Sequence, residues 1–247
     1  MKKIALSLLL FATSSFGFVS LAPLDIDSKK GTKVQLALSV NISKGNTDKE
    51  SYQGSTDLRY HSTDWTMFLL GAYTYGVVNG DKNTNKGLLH ARLVHVFPVE
   101  TLDYELFVQG EFNQFQNLKD RDLAGANLRT HIPLLTDFYI GAGALYEYIA
   151  PDTRTEADQV RKTYRVNTYI SAREKFNENL TLNYLGYYQP AFGDINDFRI
   201  TQTLQFSFKI VKEFSFKVEG VYRYNSRPYS GVLKEDWSMF SGLAYKF

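Results

Sequence analysis

The sequence predicts an all-β protein, a transmembrane antiparallel up-and-down β-barrel of about twelve strands, preceded by a signal peptide. Three observations lead to this fold class. Apolar and polar residues alternate with period two in long runs, the ionisable residues of these runs share one phase of the alternation, and the connections are short and long in turn. Together these patterns are typical of a sheet with one face in lipid and the other around a polar lumen.

The beginning of the chain, MKKIALSLLLFATSSFG, has the form of a secretory signal peptide. Two lysines precede an apolar stretch from Ile4 to about Ala12, and small polar residues follow. Such a stretch is too short for a spanning helix, which needs about 20 residues. We therefore expect the chain to be exported.

The signal peptide sets the predicted domain boundaries. We assign residues 1–22 to it, with cleavage after Gly17 or after Ala22, two alternatives that the sequence leaves open. Residues 23–32 are then a short periplasmic segment, and residues 33–247 form a single barrel domain. This length of chain suffices for one large domain.

The alternation begins near Lys33 and recurs segment after segment. In VQLALSVNI every second residue from Val34 to Ile42 is apolar. There are twelve such runs of ten to thirteen residues, whereas strands of soluble sheets average about five or six, and about ten residues cross a bilayer. The runs cover residues 34–43, 51–61, 65–77, 87–97, 103–115, 122–132, 137–149, 162–174, 179–189, 197–209, 213–225 and 236–247.

The connections between the runs alternate in length. Short turns are STD, PVETL, PLLTD, NENL and VKE, whereas the intervening connections VNGDKNTNK, QNLKDRD, PDTRTEADQVR, PAFGDIND and SRPYSGVLKED are longer and polar. An even strand number with short periplasmic turns and longer external loops is typical of bacterial outer-membrane barrels. We therefore expect a location in the outer membrane of a Gram-negative bacterium, with both termini periplasmic.

The ionisable residues of the runs give the strongest support for a membrane-spanning barrel. A lipid-facing Arg or Lys costs about 2–4 kcal/mol at the bilayer midplane, so such residues should point inward. Only His95 and Gln202 are clear polar exceptions on the outward phase. The predicted inward residues are Asp57, Arg59, Arg92, Glu105, Glu111, Arg129, Glu147, Arg165, Arg173, Arg199, Lys209, Lys217, Glu219, Arg223 and Lys246.

The aromatic residues concentrate at two heights, as expected for rings that prefer the headgroup level. Tyr60, Trp65 and Phe97 are examples near the short turns, and Tyr73 and Trp237 are examples near the long connections.

The last run ends the chain as WSMFSGLAYKF. Its outward residues include Leu243, Tyr245 and Phe247, and we expect this strand to close the barrel against the first one. A terminal Phe after alternating apolar residues resembles the C-terminal signal that the barrel-assembly machinery reads in outer-membrane barrels.

The first hairpin, LALSVNISKGNTDKESYQGSTDLRYHSTDW, resembles a particular family. An apolar strand Val34–Ile42, the turn Gly45-Asn46-Thr47, a polar-alternating strand Tyr52–Tyr60 and a turn closed by Asp64-Trp65 are similar to the opening of salt-induced outer-membrane proteins grouped under a domain of unknown function. The resemblance implies the same barrel and a role in the envelope under salt or osmotic stress. It implies no catalytic or ligand residues, because none are established for that family.

Composition excludes several function classes. Without cysteine the chain has no disulfides and no thiolate metal sites, and its scattered charges, with a formal net charge of +2, do not indicate nucleic-acid binding. We predict no cofactor and no metal. The expected partners are outer-membrane lipid, lipopolysaccharide and, during biogenesis, the barrel-assembly machinery, and the oligomeric state is left open.

The predicted lumen is basic, which leaves two interpretations. The charges line a narrow, anion-leaning pore, or they pair into a closed polar core, because buried charges must be paired. Either way the candidate lumen and selectivity residues are Arg59, Arg92, Arg129, Arg165, Arg173, Arg199, Arg223, Glu105, Glu111 and Glu147.

An outer-membrane hydrolase of phospholipase type is the alternative function. Such an enzyme places His and Ser on the same outward face, two residues apart. His95 is outward but has Leu93 and Phe97 two positions away, and His61 and Ser62 are adjacent and therefore face opposite sides. We accordingly predict a non-enzymatic barrel.

Overall fold

The computed structural model describes residues 30–45, 47–96, 102–133 and 137–246. Within these ranges it contains twelve strands and one short 3-10 turn, Gln114–Gln116, and no helix long and apolar enough to span a membrane. The strands are β1 (Gly31–Ser43), β2 (Lys49–His61), β3 (Trp65–Val78), β4 (Asp81–Val96), β5 (Leu102–Asn113), β6 (Leu118–His131), β7 (Asp137–Ala150), β8 (Arg161–Lys175), β9 (Leu180–Ala191), β10 (Asp194–Val211), β11 (Phe214–Asn225) and β12 (Glu235–Lys246).

The strands form one closed antiparallel barrel. Each strand pairs with its neighbours in sequence, and β12 pairs with β1. This confirms the predicted fold class, and every one of the twelve predicted runs corresponds to a strand. We call the end where β1 begins and β12 finishes the terminal end, and the opposite end the loop end. The predicted signal peptide, with both of its cleavage sites, lies outside the described residues.

Three of the connections predicted to be long loops are instead mostly strand. β4 begins at Asp81, β6 at Leu118 and β10 at Asp194, each inside a segment predicted as loop. Beyond the lipid both faces of a strand meet water, so the apolar alternation disappears although the hydrogen-bonded ladder continues. Asn79 and Gly80, with φ of 51° and 89°, allow a tight turn between β3 and β4.

The two faces of the sheet differ as the alternation predicts. Outward Leu38, Val40 and Ile42 are 76%, 62% and 57% exposed, which places apolar side chains on the surface that faces lipid. Inside, the carboxylates of Glu105 and Glu147 are completely buried. The core of this protein is therefore a polar one, to which only small apolar clusters contribute.

Ring pairs occur near both ends of the barrel. Tyr60 and Trp65 have centroids 5.4 Å apart near the terminal end. Near the loop end the rings of Phe198 and Tyr224 stack at 5.3 Å. Phe97 lies outside the described residues.

The seam between β1 and β12 is the shortest paired boundary of the barrel. Among the described residues, β1 pairs with β2 along its whole length, but with β12 over Gln35–Leu38, opposite Leu243–Lys246. These pairs lie toward the terminal end. Trp237, at the other end of β12, is 70% exposed. The ring is thus closed mainly at its terminal end.

Gly143 on β7 tests how tightly the wall is packed. A Cβ built there would collide with the backbone carbonyl of Ala126 and with Asn127, whereas one at Gly220 meets nothing within 4 Å. Because backbone must shift, Gly143→Ala is expected to destabilise the refolded barrel by about 1–3 kcal/mol. Urea unfolding followed by circular dichroism measures this, and equal effects of Gly143→Ala and Gly220→Ala would contradict it.

Candidate functional site

A vestibule occupies the loop-end half of the lumen. It has a volume of about 190 Å³. Pro228, Tyr229 and Leu233, from the loop between β11 and β12, line it at the loop end. Its lining residues nearest the terminal end include His90 and Arg92 of β4.

The vestibule is basic. Eight Lys or Arg side chains line it against two carboxylates, Glu111 and Asp236. Three further carboxylates, Glu105, Glu147 and Asp194, pair with lining arginines from outside the lining, and the basic side chains still outnumber the acidic ones. The basic lining residues are Lys86, Arg92, Arg121, Arg161, Arg199, Arg223, Arg227 and Lys234. Such a surface raises the local concentration of anions.

Glu147 is the centre of the ion network that lies nearer the loop end. It accepts hydrogen bonds from Arg121 Nε at 2.7 Å and Arg165 Nε at 2.6 Å, and lies 3.1 Å from Arg199 Nε. Arg121 also donates to Glu111 at 2.5 Å. A carboxylate with no exposed surface needs such partners, because an unpaired buried charge is strongly unfavourable. These charges therefore stabilise the fold as well as lining the lumen.

Glu105 is the centre of a second network nearer the terminal end. Its Oε2 accepts hydrogen bonds from the Tyr169 hydroxyl at 2.7 Å and from Asn127 Nδ2 at 3.2 Å. Its Oε1 lies 3.5 Å from Arg92 Nη1 and 3.7 Å from Arg129 Nη1. Tyr169 belongs to β8 and Glu105 to β5, so this network reaches across part of the lumen.

One hydrogen bond spans the lumen almost from side to side. Arg92 Nη2 on β4 donates to the Tyr187 hydroxyl on β9 at 2.8 Å, and these strands are five apart in the ring of twelve. We call Arg92 and Tyr187 the constriction. It separates the vestibule from the part of the lumen that leads to the terminal end.

The two longest loops meet above the vestibule. Tyr229, which is 6% exposed, donates to the Gln159 carbonyl oxygen at 3.1 Å, and the Arg161 guanidinium lies 4.4 Å from its ring centroid. Asp158 accepts a hydrogen bond from the Ser230 N–H at 2.9 Å. Burial raises the pKa of the Tyr229 hydroxyl, so it remains a protonated donor near neutral pH. These contacts narrow the mouth of the vestibule.

The ten predicted lumen residues fall into three groups. Those that line the vestibule are Arg92, Arg199, Arg223 and Glu111. Those that are buried in the two networks outside its lining are Glu105, Glu147, Arg129 and Arg165. Arg59 and Arg173 lie apart, toward the terminal end, where Arg59 pairs with Asp57 at 2.6 Å and Arg173 with Asp137 at 3.3 Å.

Sequence reasoning missed three important lumen residues. Arg121 and Lys86 were assigned to loops, although period two continued backward from Leu123 and Leu88 places both on the inward phase. Tyr187 shares the inward phase of β9, yet nothing in the sequence indicates that its hydroxyl meets Arg92.

The histidines contact groups other than a catalytic serine. Among the described residues, no group of three His, Cys, Asp or Glu side chains is arranged to hold a metal ion. The contacts are His61 Nδ1 with Thr66 Oγ1 at 2.7 Å, His90 Nδ1 with Gln109 Oε1 at 3.0 Å, and the rings of His95 with Tyr104 at 5.0 Å and of His131 with Tyr139 at 5.1 Å.

The closed twelve-stranded barrel, with an apolar outer face and a polar lumen, defines the chain as a transmembrane β-barrel of the outer-membrane type. It belongs to the DUF481 family, described as a protein of unknown function, whose family profile matches residues 36–247. No curated protein matches the chain.

Solved structures similar to the chain are outer-membrane barrels. The NanC porin is 11% identical, with a TM-score of 0.52 over 88% of this chain and 100% of that one. The translocator domain of the autotransporter NalP from Neisseria meningitidis is 10% identical, with a TM-score of 0.48 over 90% of each chain. At such identities the likeness shows the fold alone.

Proposed function

We propose that the chain is a non-enzymatic, narrow outer-membrane channel that favours small anions. The observation that carries this proposal is the excess of basic side chains around the vestibule. Charges that line a narrow lumen act on a permeating ion at short range, where water screens them poorly. The constriction is made by two long side chains joined through a hydrogen bond rather than by backbone. Widening it therefore requires movement of side chains and not of the strands.

The same proposal includes an orientation. The short turns and both termini face the periplasm, and the long loops face outside, in contact with lipopolysaccharide. Leu243, 53% exposed, and Tyr245 supply the outward positions of the C-terminal signal that the barrel-assembly machinery reads. Phe247, the last residue of that signal, lies outside the described residues. In this orientation the basic vestibule opens to the exterior.

A structural role in the envelope under salt stress is the second candidate. The observation that favours it is the pair of buried ion networks with the cross-lumen hydrogen bond, which together fill much of the lumen. A barrel closed in this way adds a stable wall element to the membrane without conducting. The link between this role and salt stress comes from the family resemblance.

Single-channel conductance in a planar bilayer under a salt gradient separates the two candidates. We expect discrete openings with a reversal potential toward that of the anion. Arg223→Glu combined with Lys86→Glu, both on the vestibule wall, should shift that potential toward the cation. Lys44→Glu, at a side chain that is 58% exposed on the β1–β2 turn, serves as a control for charge reversal away from the vestibule wall and should leave the reversal potential unchanged. A folded but silent barrel would contradict the channel.

A further inference from the structure

Two buried nitrogens at the floor of the vestibule have no hydrogen-bond partner among the described residues. They are Nε of Arg92 and Nε2 of His90, in residues that are only 8% and 3% exposed and that both line the cavity. Arg92 and His90 are two positions apart on β4 and therefore project from the same face into the lumen. Both residues therefore belong to the same wall of the vestibule.

The surrounding side chains hold both groups in place. The His90 ring stacks on Phe107 with centroids 6.2 Å apart, and its Nδ1 lies 3.0 Å from Gln109 Oε1. The Arg92 guanidinium is fixed by Tyr187 at 2.8 Å and by its ion pair with Glu105. Only one nitrogen of each group is left for a ligand, and each is positioned before the ligand arrives, which reduces the entropy cost of binding.

The hydrogen-bonding role of Arg92 Nε is fixed, whereas that of His90 Nε2 follows from the orientation of the Gln109 amide. Arg92 Nε can only donate, so it requires an acceptor. His90 Nε2 is also a donor if the Gln109 amide is turned so that its NH₂ group donates to Nδ1, and the two orientations of an amide fit the same outline. Two donors on one wall match a ligand with two acceptor oxygens. A buried donor without a partner costs about 1–3 kcal/mol, which favours occupancy.

The charges above the floor favour an anion over water. Glu111 lies within the electrostatic reach of Arg121, Arg223 and Arg199, so several cations crowd the same space. The ion pair of Arg92 with Glu105 is balanced and adds no net charge at the floor. An incoming anion therefore meets the uncompensated positive charge of the vestibule before it reaches the two donors.

We propose that the vestibule floor is a binding subsite for one small oxyanion of the carboxylate class, with one oxygen on Arg92 Nε–H and the other on His90 Nε2–H. The subsite deepens the proposed channel function, on which it rests for its physiological role. Binding itself requires only that the vestibule be reached from the loop end.

Nitrogen NMR of the refolded protein in micelles tests the subsite, with ¹⁵N-labelled histidine and acetate as the probe at constant ionic strength set by chloride. The expected result is a saturable change of the His90 Nε2 signal, which stays within the range of a protonated ring nitrogen. His90→Phe, which keeps a ring against Phe107, assigns the signal. His95→Phe, on the lipid-facing phase, is the control and should leave the response intact.

Arg92→Lys keeps the positive charge but removes the Nε–H donor, and should weaken the acetate response roughly tenfold. If that variant does not fold, the rise in Tm caused by acetate in the wild-type protein supplies a second readout, which His90→Phe should abolish. An unshifted His90 signal in a conducting protein overturns the subsite and leaves the channel standing. A saturable shift in a protein that does not conduct supports the subsite and overturns the channel. An equal response to chloride alone also overturns the subsite.

Discussion

Replacing Glu147 by glutamine is expected to destabilise the barrel by about 3–5 kcal/mol, the largest effect on folding that we predict for a single substitution. The amide has the size of the carboxylate, so the change removes charge and little else. Arg121, Arg165 and Arg199 then remain crowded together without the central anion that pairs with all three. Urea unfolding of the refolded protein, followed by circular dichroism, gives the change in the free energy of unfolding.

A surface ion pair provides the control for this prediction. Lys44 lies 2.8 Å from Glu50 but is 58% exposed, and pairs of this kind contribute little to stability. Lys44→Ala should therefore leave the unfolding curve unchanged. A Glu147→Gln protein as stable as the wild type would show that the buried network contributes no net stability.

Shortening Tyr187 to alanine is expected to increase single-channel conductance at least about twofold, because this hydroxyl and ring form one side of the constriction. Tyr187→Phe separates two contributions, since it removes the hydrogen bond to Arg92 but keeps the ring. We expect an intermediate conductance for it, or more frequent openings of unchanged size. Bilayer recordings of the three proteins under identical salt measure both quantities.

The adjacent Tyr188 is a matched control for Tyr187. It lies on the opposite face of β9 and is 39% exposed on the outer surface. Tyr188→Ala removes the same atoms from the same strand without changing the lumen, so the conductance should stay that of the wild type. An equal increase from both variants would locate the narrowest point elsewhere.

The period-two pattern predicts most of the fold because it records which face of each strand meets lipid. It places Arg92, Glu105 and Glu147 inside the barrel, and the structure buries all three. The pattern carries no information on which inward side chains meet, since this depends on how far each strand is displaced along its neighbour. The contact between Arg92 and Tyr187 is therefore a property of the assembled barrel.

The pattern also fails where the strands leave the lipid. Arg121 lies in a polar stretch at the start of β6, where no apolar alternation marks a strand, so only the phase continued from Leu123 indicates that it points inward. The sequence also did not predict the loop contacts at the mouth of the vestibule. The contacts of Tyr229 with the neighbouring loop join segments that share no periodicity.

The short β1–β12 seam has a consequence for the order of folding. Every other boundary joins strands that follow each other along the chain, so each can form as a local hairpin at a small cost in chain entropy. The seam joins the two ends of the domain, and the described residues contribute four residue pairs to it. We therefore expect closing of the ring to be the slow, late event of folding, and parting of Leu38 from Leu243 to be an early step by which the finished ring reopens.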